Sequence, residues 1–269
     1  MTQSQRCPTI LMLPLQQPTF GDGELIVDEI TLQFEQPMKA PANVVYSTNP
    51  RFSVDTAGRK YYIKGSDDVR IVQAELIGHI LAGLVKIPVP HYAVGRLAGE
   101  TRCHFCSCIV DDALRDVETH LRTNRLIDAS VLPRIVLLDV WLGNYDRNMG
   151  NLLGRSKSDA TAGSVEIVAI DFEKAVVVRS DAPLIELPMR KRGTLWPTGV
   201  LGACCKGRFP LTQEAVALFR AIGRHQIERA VVKTFAATRV DDAERCETVI
   251  DALVKRQSTI ESLAKDEWN

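Results

Sequence analysis

The stretch Leu142-Gly143-Asn144-Tyr145-Asp146-Arg147-Asn148-Met149-Gly150-Asn151-Leu152-Leu153 decides how the chain is read. An apolar helix ends at Gly143, since glycine readily takes the left-handed conformation that closes helices. A polar loop then delivers Asp146 and, five positions later, Asn151 at the head of a short apolar strand. That spacing suits phosphoryl transfer: a carboxylate accepts or orients a hydroxyl proton, and an amide oxygen takes a Mg²⁺ carried on nucleotide phosphates. Asp and Asn are also ordinary turn residues, so the loop by itself favours plain turn chemistry. Twenty residues on, Val168-Ala169-Ile170-Asp171-Phe172 ends a buried strand with a second carboxylate, a natural metal ligand. The order helix, loop, strand, hairpin, Asp171 favours a phosphotransfer site over two unrelated turns.

Working outward, the N-terminal half supplies positive charge. Lys60-Tyr61-Tyr62-Ile63-Lys64 alternates as a half-buried strand does, with Tyr62 and Lys64 on one face. A strand lysine neutralises nucleotide phosphates if a carboxylate holds it in place. Glu75 is the candidate, on a helix predicted from about Asp68 to Val85 by Val69, Val72, Leu76, Ile80 and Leu84. Ser66 or Asp67 caps its start, and Pro88 and Pro90 forbid its continuation. Taken singly, Lys64 and Glu75 read as solvated surface residues.

Strands are expected at Ile30–Phe34, Val44–Tyr46, Phe52–Val54, Lys60–Lys64, His91–Leu97 and Arg102–Val110. Beyond Asp111, helical periodicity marks 112–123, 129–142, 211–222 and 241–265, with short strands at Asn151–Leu153 and Val165–Ile170. Residues 172–210, with Pro183, Pro188 and Pro197, read as a long irregular stretch. The 269 residues suggest one large domain or two lobes sharing a cleft. With 33 basic and 33 acidic side chains, zero net charge argues against a nucleic-acid coat or a polybasic membrane-surface protein. No run of about 18 apolar residues occurs, so no membrane span is expected. Seven scattered cysteines fit reduced thiols in a cytoplasm. Cys103-His104-Phe105-Cys106-Ser107-Cys108 lies in a strand pattern that sends Cys103 and Cys106 to opposite faces, so no structural zinc is expected.

These motifs together resemble the HipA-like kinases, over roughly residues 40–175. The resemblance rests on Tyr62-Ile63-Lys64, on Glu75 followed by Leu81-Ala82-Gly83-Leu84 and Ile87-Pro88-Val89-Pro90, on the loop 143–153, and on Ile170-Asp171-Phe172. Runs similar to Asn144-Tyr145-Asp146-Arg147 followed by Asn151 also occur in phosphatidylinositol kinases. The resemblance implies ATP- and Mg²⁺-dependent phosphorylation, commonly of protein serine or threonine, with Mn²⁺ an acceptable metal. It assigns Lys64 to the ATP phosphates, Glu75 to Lys64, Asp146 to catalysis, and Asn151 and Asp171 to the metal. Asn148 stands where such motifs typically carry histidine, and Glu173 where Phe is typically followed by glycine. No glycine-rich phosphate loop precedes Lys64; Ser47 and Thr48 are the substitutes.

The expected architecture is therefore an α+β, bilobal protein-kinase-like fold. After a loose leader at 1–25, a strand-rich N-lobe spans 26–110 and a mainly helical C-lobe spans 111–269. ATP lies between the lobes, its adenine near Val110, where the chain crosses. The expected partner is a protein substrate, with no nucleic acid. A lipid or small-molecule kinase, and a nucleotide-binding pseudokinase acting as an interaction module, are the alternative readings.

Overall fold

The computed structural model describes residues 27–37, 51–65, 67–110, 113–114, 116–157, 163–180 and 208–268. The leader, Val44–Tyr46, Ser47, Thr48, Ser66, Asp111 and Asp112 lie outside them. Alternating apolar and polar residues build a sheet first. Its strands are β1 (Glu29–Leu32), β2 (Gln36–Pro37), β3 (Arg51–Val54), β4 (Lys60–Lys64), β5 (Tyr92–Leu97) and β6 (His104–Cys108), in spatial order β1-β5-β6-β4-β3-β2. β3 and β4 form the expected hairpin, whose turn uses Gly58 at φ +81°. β1 joins the edge in parallel with β5, Glu29 opposite Val94.

Period two divides the sheet's side chains between two faces. Leu32, Tyr61, Ile63, Ala93 and Cys106 form a small core on one side. On the other, Val94, Phe105 and Cys103 join the main core beneath α1 (Val69–Leu84). Cys103 and Cys106 thus serve different faces, as their alternation requires.

Helix α1 departs from the expected one-sided stripe: Val72 to Ala82 are all buried, including Gln73, Glu75 and His79. The reason is packing on every side, against β5 and β6 and against helices introduced below. Its cap is Asp68 rather than Ser66 or Asp67; the Arg70 amide donates to Asp68 Oδ1 at 2.9 Å.

The remaining helices are α2 (Val117–Thr123), α3 (Val131–Leu142), α4 (Val176–Arg179), α5 (Gln213–Arg220), α6 (Arg224–Thr238), α7 (Ala243–Ser258) and α8 (Ile260–Trp268). A hairpin of β7 (Leu152–Ser156) and β8 (Val165–Ala169) sits among them. The predicted helix 241–265 is two helices, α7 and α8, that meet at Thr259. Helix α6 was not expected from the sequence. Gln226 caps it by accepting from the Gly223 amide, and Ile227, Ala230, Val231, Thr234 and Phe235 face inward at three–four spacing against α1 and α7. The single main core runs from α1 through α3 to α7 and α8.

Candidate active site

Helix α3 is the base on which the site is built. All twelve of its residues are buried. Its last carbonyls find partners: Arg256 Nε donates to Trp141 O at 2.8 Å and Arg256 Nη2 donates to Val140 O. Burial lowers the Arg256 guanidinium to about 10. Gly143, at φ +67°, ends the helix, and the Asn144 amide reaches back to Asp139 O at 2.8 Å. The loop therefore leaves α3 along a fixed path.

One charged pair then locks that loop. Arg147 Nε and Nη2 donate to the two Asp139 oxygens, each at 2.9 Å, with both side chains 0% exposed. Such a fork-on-carboxylate pair is bidentate and directional. Asn144 Nδ2 adds a third donor to Asp139 at 2.8 Å. The other arm of Arg147 donates to Asn151 O at 2.9 Å and to Ile170 O, joining the loop to the end of β8. Its guanidinium also lies 4.9 Å from the Phe172 ring centre.

On this base the predicted residues come together. Lys64 Nζ donates to Glu75 Oε1 at 2.8 Å and to Asp171 Oδ1 at 2.9 Å. Glu75 Oε2 accepts from the Phe172 amide at 3.0 Å, so both of its oxygens are committed. Burial alone would weaken the Lys64 charge, but Glu75, Asp171 and Glu173 reverse that and raise it above ordinary lysine. Burial also opposes the Asp171 carboxylate, yet Lys64 outweighs it and holds the group below its ordinary range.

Asp171 sits at φ +67°, a left-handed conformation that a non-glycine residue adopts at a cost of about 1–2 kcal/mol. Asn144 Nδ2, 3.4 Å from Asp171 O, helps hold it there. Strain of this kind concentrates at functional positions.

Asp146 is half-buried, and its side chain makes no hydrogen bond among the described residues. Its carbonyl instead accepts from Asn148 Nδ2 at 3.0 Å and Asn151 Nδ2 at 2.8 Å. Asn151 thus spends its amide nitrogen on the loop, and its Oδ1 has no hydrogen-bond partner among the described residues. Burial, then the like charge of Asp171, raises the Asp146 carboxyl above its ordinary value.

Val110 is half-buried where the chain leaves β6, and its carbonyl accepts from the Ala113 amide at 3.4 Å. Ser47 and Thr48 lie outside the described residues.

Sequence reasoning missed the Asp139–Arg147 clamp. Its signal was a lone acid inside the apolar run Ile135-Val136-Leu137-Leu138-Asp139-Val140-Trp141-Leu142. It also missed how His79 and Phe172 support Glu75. Burial drops the His79 imidazole to about 3, so the ring is neutral and its Nδ1–H donates to Glu75 O at 2.8 Å. Phe172 packs edge-on against His79, ring centres 5.2 Å apart, and lies flush on Gly78. A Cβ on Gly78 would fall 2.4 Å from Phe172 Cγ.

The architecture is similar to that of CtkA, a proinflammatory kinase of Helicobacter pylori, at a TM-score of 0.54 and 13% identity, covering 81% of this chain and 93% of that one. The fold is a kinase fold. A second similar structure is HipA of Shewanella oneidensis, from a toxin–antitoxin system solved with HipB and operator DNA, at a TM-score of 0.42 and 12% identity over 93% of this chain and 67% of that one. No family model matches the chain, and no curated protein matches its sequence. Within this kinase fold, Lys64 and Glu75 come from the sheet and its helix, and Asp146, Asn151 and Asp171 from the loop and hairpin that α3 supports.

Proposed function

We propose that the protein is an ATP- and Mg²⁺-dependent phosphotransferase that acts on serine or threonine hydroxyls of a protein substrate. The observation that carries this reading is Lys64, drawn at 2.8 Å onto Glu75 and at 2.9 Å onto Asp171, which lies 107 residues away in the chain. A strand lysine fixed by a helix carboxylate, facing a strand-end carboxylate, is an arrangement suited to holding a nucleotide triphosphate. Kinship of fold with a bacterial kinase supports the same reading.

The donor set fits the metal. Asn151 Oδ1 and the Asp171 carboxylate are hard oxygens of the kind Mg²⁺ prefers, and Mn²⁺ accepts the same ligands. When bound, the metal neutralises and orients the nucleotide phosphates. Lys64 adds positive charge to those phosphates, and Glu75 keeps its ammonium in place. Asp146 orients the acceptor hydroxyl and takes its proton, a role its raised carboxyl suits. Adenine is assigned to the Val110 crossing, and Ser47 and Thr48 remain the phosphate-loop candidates. Cytoplasmic placement belongs to the same proposal and goes with the free thiols of Cys103, Cys106, Cys108 and Cys246. No described helix is long and apolar enough to cross a membrane.

Transfer of label from γ-labelled ATP to whole-cell extract proteins, with Mg²⁺ present, tests the reading through Asp146→Asn. The near-isosteric amide should lower transfer by roughly two to four orders of magnitude, the scale of a lost acid–base group, and leave Mg·ATP affinity within a few-fold. A variant that is folded by circular dichroism and transfers phosphate at the parental rate makes Asp146 a turn residue and removes the catalytic assignment.

A further inference from the structure

Two residues past Asp171 stands a carboxylate that the phosphotransfer reading does not use. Glu173 is 1% exposed, and neither of its side-chain oxygens makes a hydrogen bond among the described residues. Lys64 Nζ is 3.5 Å from its Oε2 and Lys174 Nζ 3.2 Å from its Oε1, close enough for charge to be felt. Lys64, however, spends its short contacts on Glu75 and Asp171. Burying a carboxylate without hydrogen bonds is costly, and a bound ion is one of the ways such a group is satisfied.

The surroundings indicate which ligand. One oxygen each from Glu75, Asp171 and Glu173 lie within 4.8 Å of one another, close enough to share a cation. Glu75 has both oxygens committed, to Lys64 and to the Phe172 amide, whereas Asp171 gives only Oδ1 to Lys64 and Glu173 keeps both oxygens free of hydrogen bonds among the described residues. Among the described residues, Glu75, Asp146, Asp171 and Glu173 face Lys64 and Lys174, while Arg147 is balanced by Asp139. An excess of negative charge would repel a nucleotide triphosphate and attract a small cation.

We propose that Glu173 is a metal ligand, and that Asp171 and Glu173 hold a divalent cation before any nucleotide arrives. The proposal rests on the phosphotransfer reading for its purpose but not for its test. Carboxylate oxygens are ligands that suit hard cations such as Mg²⁺ or Mn²⁺. The cation turns a pocket that repels phosphate into one that accepts it. The carboxylate at position 173, where related motifs have glycine, is what makes this binding independent of nucleotide.

Mn²⁺ titration of nucleotide-free protein, read by the loss of the free-ion electron paramagnetic resonance signal, tests this directly. The parental protein should bind about one Mn²⁺ with a Kd on the order of 10⁻⁴–10⁻³ M, in the range of weak oxygen-ligand sites. Glu173→Gln should weaken binding roughly tenfold or more, and Glu173→Asp should keep much of it. Parental protein that binds no Mn²⁺ at millimolar concentration overturns the proposal whether or not either variant folds. So does a folded Glu173→Gln that binds as the parent does. If Mn²⁺ binding behaves as expected and no phosphate is ever transferred, the metal site stands and the phosphotransfer reading falls. If phosphate is transferred and nucleotide-free Mn²⁺ binding is absent, the reverse holds.

Discussion

Two sets of charged residues are sunk into the same core and are built on opposite terms. The Asp139–Arg147 pair is wholly enclosed, at 0% exposure for both side chains; its charges cancel and its donors have aimed partners. The Lys64–Glu75–Asp171 set is partly open, with Lys64 22% and Asp171 19% exposed, and carries more carboxylates than ammonium groups. A balanced, closed pair has no further use for a ligand and so acts as framework. An unbalanced, half-open set holds charge in reserve, which is what the proposed receptor role requires. Both join basic side chains to carboxylates, and sign of charge alone does not tell them apart.

The largest effect should come from breaking the framework. Arg147→Met leaves Asp139 buried without its counter-charge and should cost about 3–5 kcal/mol in urea unfolding. Adding Asp139→Leu should restore much of that loss, because the orphaned charge goes with it. A single variant as stable as the parent would show that the enclosed pair is not framework at all.

Next in size is the seam between the two sets, where Phe172 lies on Gly78. Gly78→Ala gains about 1 kcal/mol of helix propensity, but its Cβ must displace a buried ring 2.4 Å away. Overpacking should win, for a net loss of about 1–2 kcal/mol in thermal unfolding. A stabilised variant would mean that Phe172 does not rest on this helix.

The smallest effect concerns His79 and pH. Its folded value, about 3, is far below the ordinary 6.5, so the unfolded chain binds the extra proton first. Its contribution to stability is therefore present above pH 6.5 and lost as pH falls toward 3. Between pH 6 and 5 the expected loss is about 1 kcal/mol, from a slope that approaches about 1.4 kcal/mol per pH unit in the middle of that window. His79→Phe should flatten the slope between pH 6 and 5 relative to the parent. Equal slopes in both proteins would show that the ring is not held neutral.

How much of this the sequence showed depended on distance along the chain. Asp146 and Asn151 were readable because their spacing is local, and Lys64 because period two fixed its face. The order helix, loop, strand, hairpin already placed Asp171 beside the loop, and the resemblance added Lys64 and Glu75 to the same site. The tasks of Arg147 and Asp139 were hidden, because an arginine in a polar loop looks solvated until tertiary packing encloses it. Helix α6 was missed because Ala230, Thr234 and Ala237, which it buries, give a weak apolar stripe. The depth of Glu75 was underestimated for a related reason: local periodicity shows one packed face, and α1 is packed all round.

That all-round packing of α1 sets the mechanics of the protein. Gln73 donates to Thr238 Oγ1 at 3.2 Å and accepts from Arg245 Nη1 at 3.0 Å, while His79 is lodged among the rings of Tyr92, Phe105 and Phe172. A helix held this way is a post rather than a lever. Withdrawing Glu75 from Lys64 by swinging it would tear buried hydrogen bonds on one side and an aromatic stack on the other. That is partial unfolding, and its cost approaches that of opening the core itself. On the proposed function, control over this site therefore falls to the cation and nucleotide that would bind it, and not to a rocking helix.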